Sequence, residues 1–413
     1  MPQATQAAFD ARVGLHDDVA LDDARGAAAV GGVRLFFHHD LNAVEREWRA
    51  FEQVADGTVF QSFDWVSTWQ RHIGALEGIA PVIVTGRDSR GALLFLLPLG
   101  VETRGFARRL TWLGTELCDY NGPLLAPEFA DSDAAQSFAA IWNEILVSVR
   151  RARRFDVVHL DKMQPTVGAQ PSPFMALGTF AHPNGAYVTR LFGDWETFYA
   201  EKRSSATRRR DRTKRKRLGE FGELRFVTPP TPAEVSETLT TLVEQKSGQF
   251  AAMGVPNIFL RPGHCAFYEA LAAQPHFVHV SRLDVGPLTA AANLGLIFRG
   301  SYYHLLASYD AGEISRNGPG AAHMHDLLRY AIGRGCVAFD FTIGDERYKK
   351  EWADAALTLY DHVAAETPRG LPLALKLALS GRLKRIVKQT PAIWRVAERV
   401  RSFIGPAMKA LRG

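Results

Sequence analysis

The sequence has few cysteines and no long apolar run. Its three cysteines, Cys118, Cys265 and Cys336, lie far apart and form neither a CxxC pair nor a Cys/His cluster, which argues against a disulfide framework and a zinc site. We expect no metal and a reducing compartment. No stretch of about 18 apolar residues occurs, and residues 1–32 lack a basic region followed by an apolar run. The sequence therefore predicts a cytoplasmic protein.

Positive charge is distributed unevenly along the chain. The net charge is +5, yet residues 202–217 contain ten Lys or Arg and one acidic residue, and residues 371–413 also contain ten and one. The rest of the chain is acidic overall, so we do not expect the uniformly basic surface of a dedicated nucleic-acid-binding protein. Apolar residues make up 46% of the sequence and charged residues 23%, which is typical of folded globular domains.

The hydrophobic pattern repeats one order of elements in the two halves of the chain. Each half is predicted to contain several strands, helices with an apolar stripe, and a final buried strand. The predicted helices include 41–53, 134–151, 232–252 and 319–332, and the predicted strands include 33–37, 155–160, 301–308 and 336–341. We interpret the repeat as a tandem duplication of one α/β unit. The alternative is chance recurrence in two α/β domains.

Composition indicates the boundaries of these units. The polar, Ala/Gly-rich residues 1–32 are expected to form a disordered leader, and residues 165–184, with four prolines, a linker. The first domain then covers residues 33–164, and the second covers residues 185–366. Residues 367–413 are expected to form a basic, amphipathic helical tail.

A Gly/Pro loop precedes the helix predicted at 319–332. Residues 316–320 have the sequence Arg-Asn-Gly-Pro-Gly. Glycines let backbone N–H groups approach a ligand, proline suits the first helical turn, and a helix N-terminus attracts phosphate. Glycine and proline also occur in ordinary loops, which is the alternative. The candidate binding residues here are Tyr309, Asp310, Arg316, Gly318 and Gly320.

A carboxylate lies within the apolar strand predicted at 336–341. Strand alternation puts Asp340 on the face opposite its two phenylalanine neighbours. A buried carboxylate needs a partner, or its pKa rises, and both conditions are common at functional sites. A structural Asp bonded to loop amides is the alternative. The charged run that follows contains Glu346, Tyr348 and Lys349, and it is either functional or a solvated turn.

Two further groups are candidates for contact with a polar substrate. Residues 119–123 combine turn-forming residues with Asp119 and Tyr120, and a tight turn is the alternative. His304 lies on a predicted strand and could act as a base, although strand histidines are more often structural. No Gly-x-Ser-x-Gly elbow occurs, so a Ser/His/Asp hydrolase is not supported.

Ordered landmarks over roughly residues 33–362 resemble a known family. They are Phe-Gln-Ser-Phe-Asp-Trp at 60–65 with Trp69, Asp-Tyr-Asn-Gly-Pro-Leu at 119–124, Ser-Tyr-Asp at 308–310, Pro-Gly at 319–320, and the segment from Phe339 to Trp352. The pattern resembles the GNAT-type acetyltransferases found with bacterial cellulose and exopolysaccharide synthesis (CelD/BcsL-like), relatives of the Fem aminoacyl transferases. The resemblance implies an α/β (α+β) fold of two tandem GNAT-like domains, each a mixed central sheet flanked by helices.

The resemblance also implies roles for the candidate residues. The second domain would bind acetyl-CoA or another acyl-CoA, and an amine would attack the thioester, with Asp340 or Glu346 as the base and Tyr348 as the acid. Proton transfer of this kind contributes about 10²–10⁴-fold. The residues expected at the donor are Arg316, Gly318, Gly320 and Lys349, and an ion pair with Asp345 is the alternative for Lys349. Those expected at the acceptor are Asp119, Tyr120, His304, Tyr309 and Asp310. The usual GNAT loop pattern, Arg/Gln-x-x-Gly-x-Gly/Ala, occurs here in shortened form, and Fem relatives take a different acyl donor.

The two basic segments have separate expected roles. Residues 202–217 would form a helix over a phosphate-rich ligand, or else a solvated helix face. The tail combines arginines with an apolar stripe that includes Ile393, Val396 and Phe403. Basic amphipathic helices of this kind lie in anionic membrane interfaces. We expect residues 372–413 to contact such a surface, with packing against the body as the alternative.

Three functions are compatible with these patterns. The first is an N-acyltransferase that moves an acetyl or other acyl group from acyl-CoA to an amine of a sugar, lipid-linked or other small acceptor in polysaccharide biosynthesis. The second is a Fem-like transferase that uses aminoacyl-tRNA and binds RNA through residues 202–217; nucleic acid is not expected otherwise. The third is a non-catalytic scaffold of a polysaccharide synthase complex, peripheral at the inner membrane face.

Overall fold

The computed structural model describes residues 27–389, and within that range the chain forms sixteen strands and eleven α-helices. The strands are β1 Ala27–Val30, β2 Val33–His38, β3 Ala80–Arg87, β4 Leu93–Arg104, β5 Ala107–Trp112, β6 Leu124–Leu125, β7 Val157–Met163, β8 Thr166–Val167, β9 Gln170–Pro171, β10 Phe180–Arg190, β11 Leu224–Val227, β12 Val278–Val285, β13 Leu288–Phe298, β14 Ser301–Tyr309, β15 Ala338–Ile343 and β16 Ala355–Ala365. The helices are α1 Leu41–Phe51, α2 Phe63–Trp69, α3 Asp133–Gln136, α4 Phe138–Ala152, α5 Trp195–Lys202, α6 Ser205–Gly219, α7 Pro232–Met253, α8 His264–Ala272, α9 Pro319–Gly333, α10 Arg347–Trp352 and α11 Leu371–Gln389. None of the helices in this range has the length and apolar character needed to cross a membrane.

Fourteen of these strands form one continuous mixed sheet. Its order is β1-β2-β3-β4-β5-β7-β16-β10-β15-β14-β13-β12-β11, and β6 pairs with β4. The runs from β2 to β5 and from β11 to β14 are antiparallel. Each run ends in a parallel pair, β5 with β7 and β14 with β15. The same arrangement therefore occurs twice, which confirms the expected mixed α/β fold with two similar units.

The two halves exchange their last strands. β10 follows the first half along the chain but pairs with β15 of the second half, whereas β16 follows the second half and pairs with β7 of the first. Residues 165–184, expected to be a linker, instead contain the β8–β9 hairpin and the beginning of β10. Their prolines lie at irregular points of these strands: Pro171 ends β9, and Pro183 lies where the register of β10 shifts. The division into domains 33–164 and 185–366 stays a prediction, because the sheet is continuous through both.

The first strand begins at Ala27, within residues 1–32, which were predicted to form a disordered leader. β1 pairs with β2 across a turn at Gly31 and Gly32, whose φ angles are 58° and 74°. A two-residue hairpin turn of this kind needs positive φ at both positions, which glycine adopts without strain. The Ala-rich sequence of β1 has little strand propensity, so composition alone assigned it to a disordered leader. Residues 1–26 lie outside the described range.

A shared apolar core joins the two halves. Helix α1 shows how local pattern contributes to it, since its buried side chains recur at the predicted helical spacing. These side chains are Leu41, Val44, Trp48 and Phe51. The same core cluster includes Trp65 and Tyr120 from the first half and Phe267 and Tyr303 from the second. The candidate active site lies beside this shared core.

The tail begins with a helix, as expected. Helix α11 packs on β7, β10 and β16, so this part of the tail contacts the body of the protein. Leu373 and Leu377, predicted to share its apolar face, are half-buried, whereas Leu383 and Ile386 are exposed. The apolar stripe expected at residues 393–404 lies outside the described range.

Candidate active site

The candidate site lies where β14 and β15 separate. The two strands are parallel neighbours only over residues 301–303 and 338–340. Just beyond this pairing, the register between β13 and β14 shifts between Leu294 and Leu296. A bulge of this kind bends a strand locally. The ladder thus ends at Asp340, and beyond it residues 304–309 of β14 and 341–343 of β15 are not paired with each other. We call this unpaired stretch the strand gap.

Asp340 is buried where the parallel pairing ends. It faces away from the phenylalanines on either side, which belong to the core under α9, as strand alternation predicted. Its Oδ1 accepts hydrogen bonds from the Tyr120 hydroxyl at 2.6 Å and from the Thr342 N–H at 2.7 Å. Burial raises the pKa of Asp340 to about 7, although both hydrogen bonds and the nearby Lys349 oppose the rise. A carboxyl with this pKa can accept or donate a proton near neutral pH.

The loop that carries Tyr120 belongs to the first half of the chain and is held by buried side chains. Lys162 Nζ donates to the carbonyl oxygens of Thr115 and Cys118 at 2.8 and 2.6 Å. Gln61 Nε2 donates to the Tyr120 carbonyl at 2.9 Å. Burial and the neighbouring carboxylate raise the pKa of Tyr120, so its hydroxyl keeps the proton that it donates. Tyr120, which was predicted to contact the acceptor, therefore donates a hydrogen bond to Asp340 in the structure.

Backbone strain is located beside Asp340. Thr342 has a φ of 61°, a left-handed conformation that β-branched residues rarely adopt and that costs roughly 1–3 kcal/mol. Its hydroxyl donates to the His304 carbonyl at 3.3 Å. Its side chain also lies close to Asp119, whose pKa is raised by burial. The strained residue thus directs its N–H at Asp340 while its side chain contacts two other candidate residues.

His304 and Tyr348 form an edge-to-face ring pair with centroids 6.2 Å apart. His304 is buried, and burial together with the Lys349 ammonium lowers the pKa of His304 well below its ordinary value. The ring is therefore neutral at physiological pH. Burial and the Glu346 carboxylate raise the pKa of Tyr348, so its hydroxyl is protonated. These states suit His304 to a neutral contact and Tyr348 to proton donation.

Lys349 and Glu346 form an ion pair at the end of β15. Lys349 Nζ donates to the Ile343 carbonyl at 2.6 Å and lies 3.2 Å from Glu346 Oε2. Lys349 is buried, whereas Glu346 is mostly exposed at the beginning of α10. Lys349 was expected to orient the donor or to pair with Asp345; in the structure its ammonium group is directed at this strand end. Glu346 is paired and solvated, so Asp340 is the better candidate for the base.

The Gly/Pro loop has the geometry of an anion-binding loop. Gly318 precedes α9 with a φ of 71°, and Pro319 occupies the first helical turn. Gly318 has no side chain to cap α9, so the N–H of Gly320 has no helical partner. Nζ of Lys214, on α6, lies 3.9 Å from the position that a Cβ at Gly318 would occupy. An anion bound here would contact both a helix N-terminus and an ammonium group.

The other loop candidates have local partners. Arg316 is well exposed and lies 3.5 Å from Glu313. Asp310 accepts a hydrogen bond from the Gly312 N–H at 2.9 Å, which shapes the loop. Tyr309 is partly exposed at the end of β14 and lies beside the first turn of α9. Among these three residues, Tyr309 and Arg316 are accessible to a ligand.

The predicted site residues thus form two groups connected by β14. Around the strand gap lie Asp119, Tyr120, His304, Asp340, Glu346, Tyr348 and Lys349. At the other end of β14 lie Tyr309, Asp310, Arg316, Gly318 and Gly320. His304 and Tyr309 are separated by five residues of strand, or about 17 Å.

Two lysines near the site were not predicted from the sequence. Lys246 on α7 donates to the Ala307 carbonyl of β14 at 3.1 Å, and burial lowers the pKa of Lys246. Lys214 was one of ten positive charges in its segment, and no local pattern singled it out. A single lysine on a long helix has no motif, so only the packing of α6 and α7 reveals these positions.

The basic segment forms a helix, as predicted. Arg215 of α6 pairs with Asp326 at 3.0 Å. Within the described range, no acidic side chain pairs with Arg209, Arg212, Lys214 or Lys216, and all four are exposed. The helix therefore presents uncompensated positive charge beside the Gly/Pro loop.

Comparison with known proteins identifies the second half. Residues 205–350 match the acetyltransferase (GNAT) domain model. The fold is similar to that of FemX, with a TM-score of 0.58 and 12% identity over 83% of this chain and 99% of that one. It is also similar to a conserved protein of unknown function from Bacteroides thetaiotaomicron, with a TM-score of 0.51 and 11% identity over 80% of this chain and 99% of that one. No curated protein is similar to this chain in sequence.

These findings define the class of one region of the chain. Residues 205–350 form a GNAT acetyltransferase domain, and both the strand gap and the Gly/Pro loop lie within it. At 12% identity the likeness to FemX concerns the fold, which it shares over most of both chains. The chain therefore contains a region that matches the GNAT acetyltransferase domain, within a fold similar to that of FemX.

Proposed function

We propose that this protein is an N-acyltransferase that moves an acetyl or other acyl group from acyl-CoA to an amine of a small acceptor. The observation that carries the proposal is the buried Asp340, a carboxyl with a pKa of about 7 at the strand gap of a GNAT domain. The resemblance of the sequence to the cellulose-associated family supports a sugar or lipid-linked acceptor in polysaccharide synthesis at the cytoplasmic side.

The donor is proposed to lie along β14. Its phosphates would contact the first turn of α9 and the Lys214 ammonium, since both attract anions. Its acyl group would reach the strand gap beside His304, about 17 Å from Tyr309 along β14. The edge of β14 offers carbonyl groups to an extended ligand, among them that of Ala307, which now accepts from Lys246.

In the proposed reaction, the acceptor nitrogen bonds to the acyl carbon and its proton passes to the Asp340 carboxylate. The carbon–sulfur bond breaks, and Tyr348 donates a proton to the departing thiolate. Tyr120 and the Thr342 N–H hold the carboxylate in place through their hydrogen bonds. Proton transfer to and from positioned groups contributes about 10²–10⁴-fold to such a step.

A Fem-like transferase that uses aminoacyl-tRNA is the second candidate. The unpaired cations of α6 favour it, because they lie beside the loop that would contact the donor. A nucleic-acid backbone would use more of these charges than the phosphates of coenzyme A. The two donors therefore make different demands on α6.

Thermal unfolding in the presence of acetyl-CoA, longer acyl-CoAs or tRNA tests the donor. We expect acyl-CoA to raise the unfolding temperature and Lys214→Ala to weaken binding about tenfold, the loss of one contact between charged groups. Lys216→Ala is the matched control, because residue 216 points to another side of the same helix. Stabilisation by tRNA alone would favour the Fem-like function. Stabilisation by no donor would favour a scaffold.

Release of free thiol from acyl-CoA in the presence of amino sugars and other amines tests the chemistry. Asp340→Asn and Tyr348→Phe should keep donor binding and lower the transfer rate by about 10²-fold or more. Folded variants of either kind that retain the full rate would contradict the assignment.

A further inference from the structure

Helix α11 has two apolar faces. One face packs on the exchanged strands: Gly381 lies against the Phe180 ring, and Arg382 lies over the same ring at 5.5 Å. Ala374 is buried on this side, and just before the helix Gly370 contacts the backbone of Asp156. The helix is therefore held on the body of the protein along its length.

The opposite face of α11 carries a second apolar stripe that is exposed. Its large aliphatic residues recur every three or four positions and fall within one third of the helix circumference. They are Leu371, Leu375, Leu379, Leu383 and Ile386, each between 51% and 62% exposed. The stripe is about 22 Å long, since Leu371 and Ile386 are fifteen helical steps apart. Isolated exposed leucines are ordinary, but an aligned row of five indicates an interaction surface.

The charge around this stripe has one sign. From residue 371 to residue 389 the chain contains five Lys or Arg and no acidic residue. Lys376, Arg382 and Lys384 are exposed. The helix thus combines aliphatic side chains with exposed, positively charged ones.

This charge decides between the candidate occupants of the stripe. Residues 390–413 contain five more Lys or Arg and one acidic residue, so folding that segment onto α11 would bring like charges together. A second copy of the chain packed stripe against stripe would do the same. An anionic lipid surface instead offers negative charge beside an apolar layer.

We propose that the exposed stripe of α11 binds an anionic phospholipid surface. The helix lies flat, its five aliphatic side chains enter the boundary between headgroups and acyl chains, and the exposed Lys376 and Lys384 ammonium groups are attracted to the lipid phosphates. The sequence predicted that the tail contacts a membrane surface, with packing against the body as the alternative. In this proposal α11 does both, because it packs on the body with one face and on lipid with the other. This surface does not depend on the identity of the acyl donor.

Co-sedimentation of the full chain with vesicles tests the proposal. We expect binding to phosphatidylcholine vesicles that contain phosphatidylglycerol, weaker binding to phosphatidylcholine alone, and a decrease as salt is added. The double variant Leu379→Gln and Leu383→Gln should bind vesicles at least about tenfold more weakly, since it removes two aliphatic side chains that enter the lipid in the bound state. Lys376→Glu with Lys384→Glu should abolish the preference for the anionic vesicles.

Leu260→Gln is the matched control, because Leu260 is 82% exposed in the loop after α7 and should leave binding unchanged. The four substituted residues of α11 are exposed, so unfolding temperatures close to wild type are expected and can be checked. Wild-type binding by the stripe variant would overturn the proposal, as would no binding by the intact chain. Dimerisation that depends on the stripe, seen by sedimentation velocity, would instead assign this face to a second copy.

Discussion

Replacing Asp340 with Asn should remove the proposed chemistry and, above neutral pH, stabilise the fold. The amide oxygen of Asn can accept both hydrogen bonds that Oδ1 accepts, from Tyr120 and from the Thr342 N–H. The substitution removes only the ionised carboxylate, which burial disfavours. The wild-type residue therefore lowers stability at any pH at which the unfolded chain has released this proton.

The size of this effect follows from the pKa of Asp340. That pKa is about 7 in the folded protein against an unperturbed 3.8, so between these pH values the folded state holds a proton that the unfolded state has released. Wild-type stability relative to the variant falls as the pH rises through this range and is constant above it. About three pH units at about 1.36 kcal/mol per unit give an upper limit of about 4 kcal/mol.

Urea unfolding at pH 5 and pH 8, followed by the fluorescence of buried tryptophans such as Trp48 and Trp65, measures the effect. The free energy of unfolding of the variant minus that of wild type should grow by about 2–3 kcal/mol between the two pH values. Asp310→Asn makes the same change in a partly exposed loop and should not reproduce this growth. The same difference at both pH values would refute the reasoning.

Glu52→Gln should stabilise the protein at pH 8 more than at pH 5, because burial raises the pKa of Glu52 to about 7 and a Gln oxygen can accept the same backbone N–H; the same urea titrations test this. Gly318→Ala should lower the free energy of unfolding by about 1–2 kcal/mol, since the φ of Gly318 is 71°. By contrast, Gly248→Ala, inside α7 and facing open space, should raise the free energy of unfolding by about 0.5–1 kcal/mol. Arg299→Ala should cost about 1–3 kcal/mol in thermal unfolding, because it leaves the carbonyls of Glu52 and Ala55 unpaired; an unchanged unfolding temperature would contradict this.

Several elements were predictable because their determinants are close together in the chain. The stripe of α1 and the hairpin at Arg299 and Gly300 both follow from residues a few positions apart. The same holds for the beginning of α9 at Pro319 and for the side of β15 on which Asp340 lies. Local patterns failed where they were weak or misleading, as in the Ala-rich strand β1 and the proline-containing segment 165–184.

The composition of the site was decided by contacts that are remote in sequence. Tyr120 and Asp340 are 220 residues apart, and no periodicity relates them. Lys214 and Lys246 reach the loop and β14 only through the packing of their helices. Lys349 donates to the Ile343 carbonyl at the end of β15, a contact that its charge alone did not predict.

The sequence by itself determined the helices and strands with strong periodicity, the repeated α/β unit, and the Gly/Pro loop at the start of α9, because helical and strand periods, turns and caps depend on neighbouring residues. Only the tertiary structure decided that the halves exchange their last strands and that Asp340 is bonded to Tyr120 and has a pKa of about 7. Strand partners, desolvation and long-range hydrogen bonds depend on which distant segments meet, and a pattern along the chain does not contain that information.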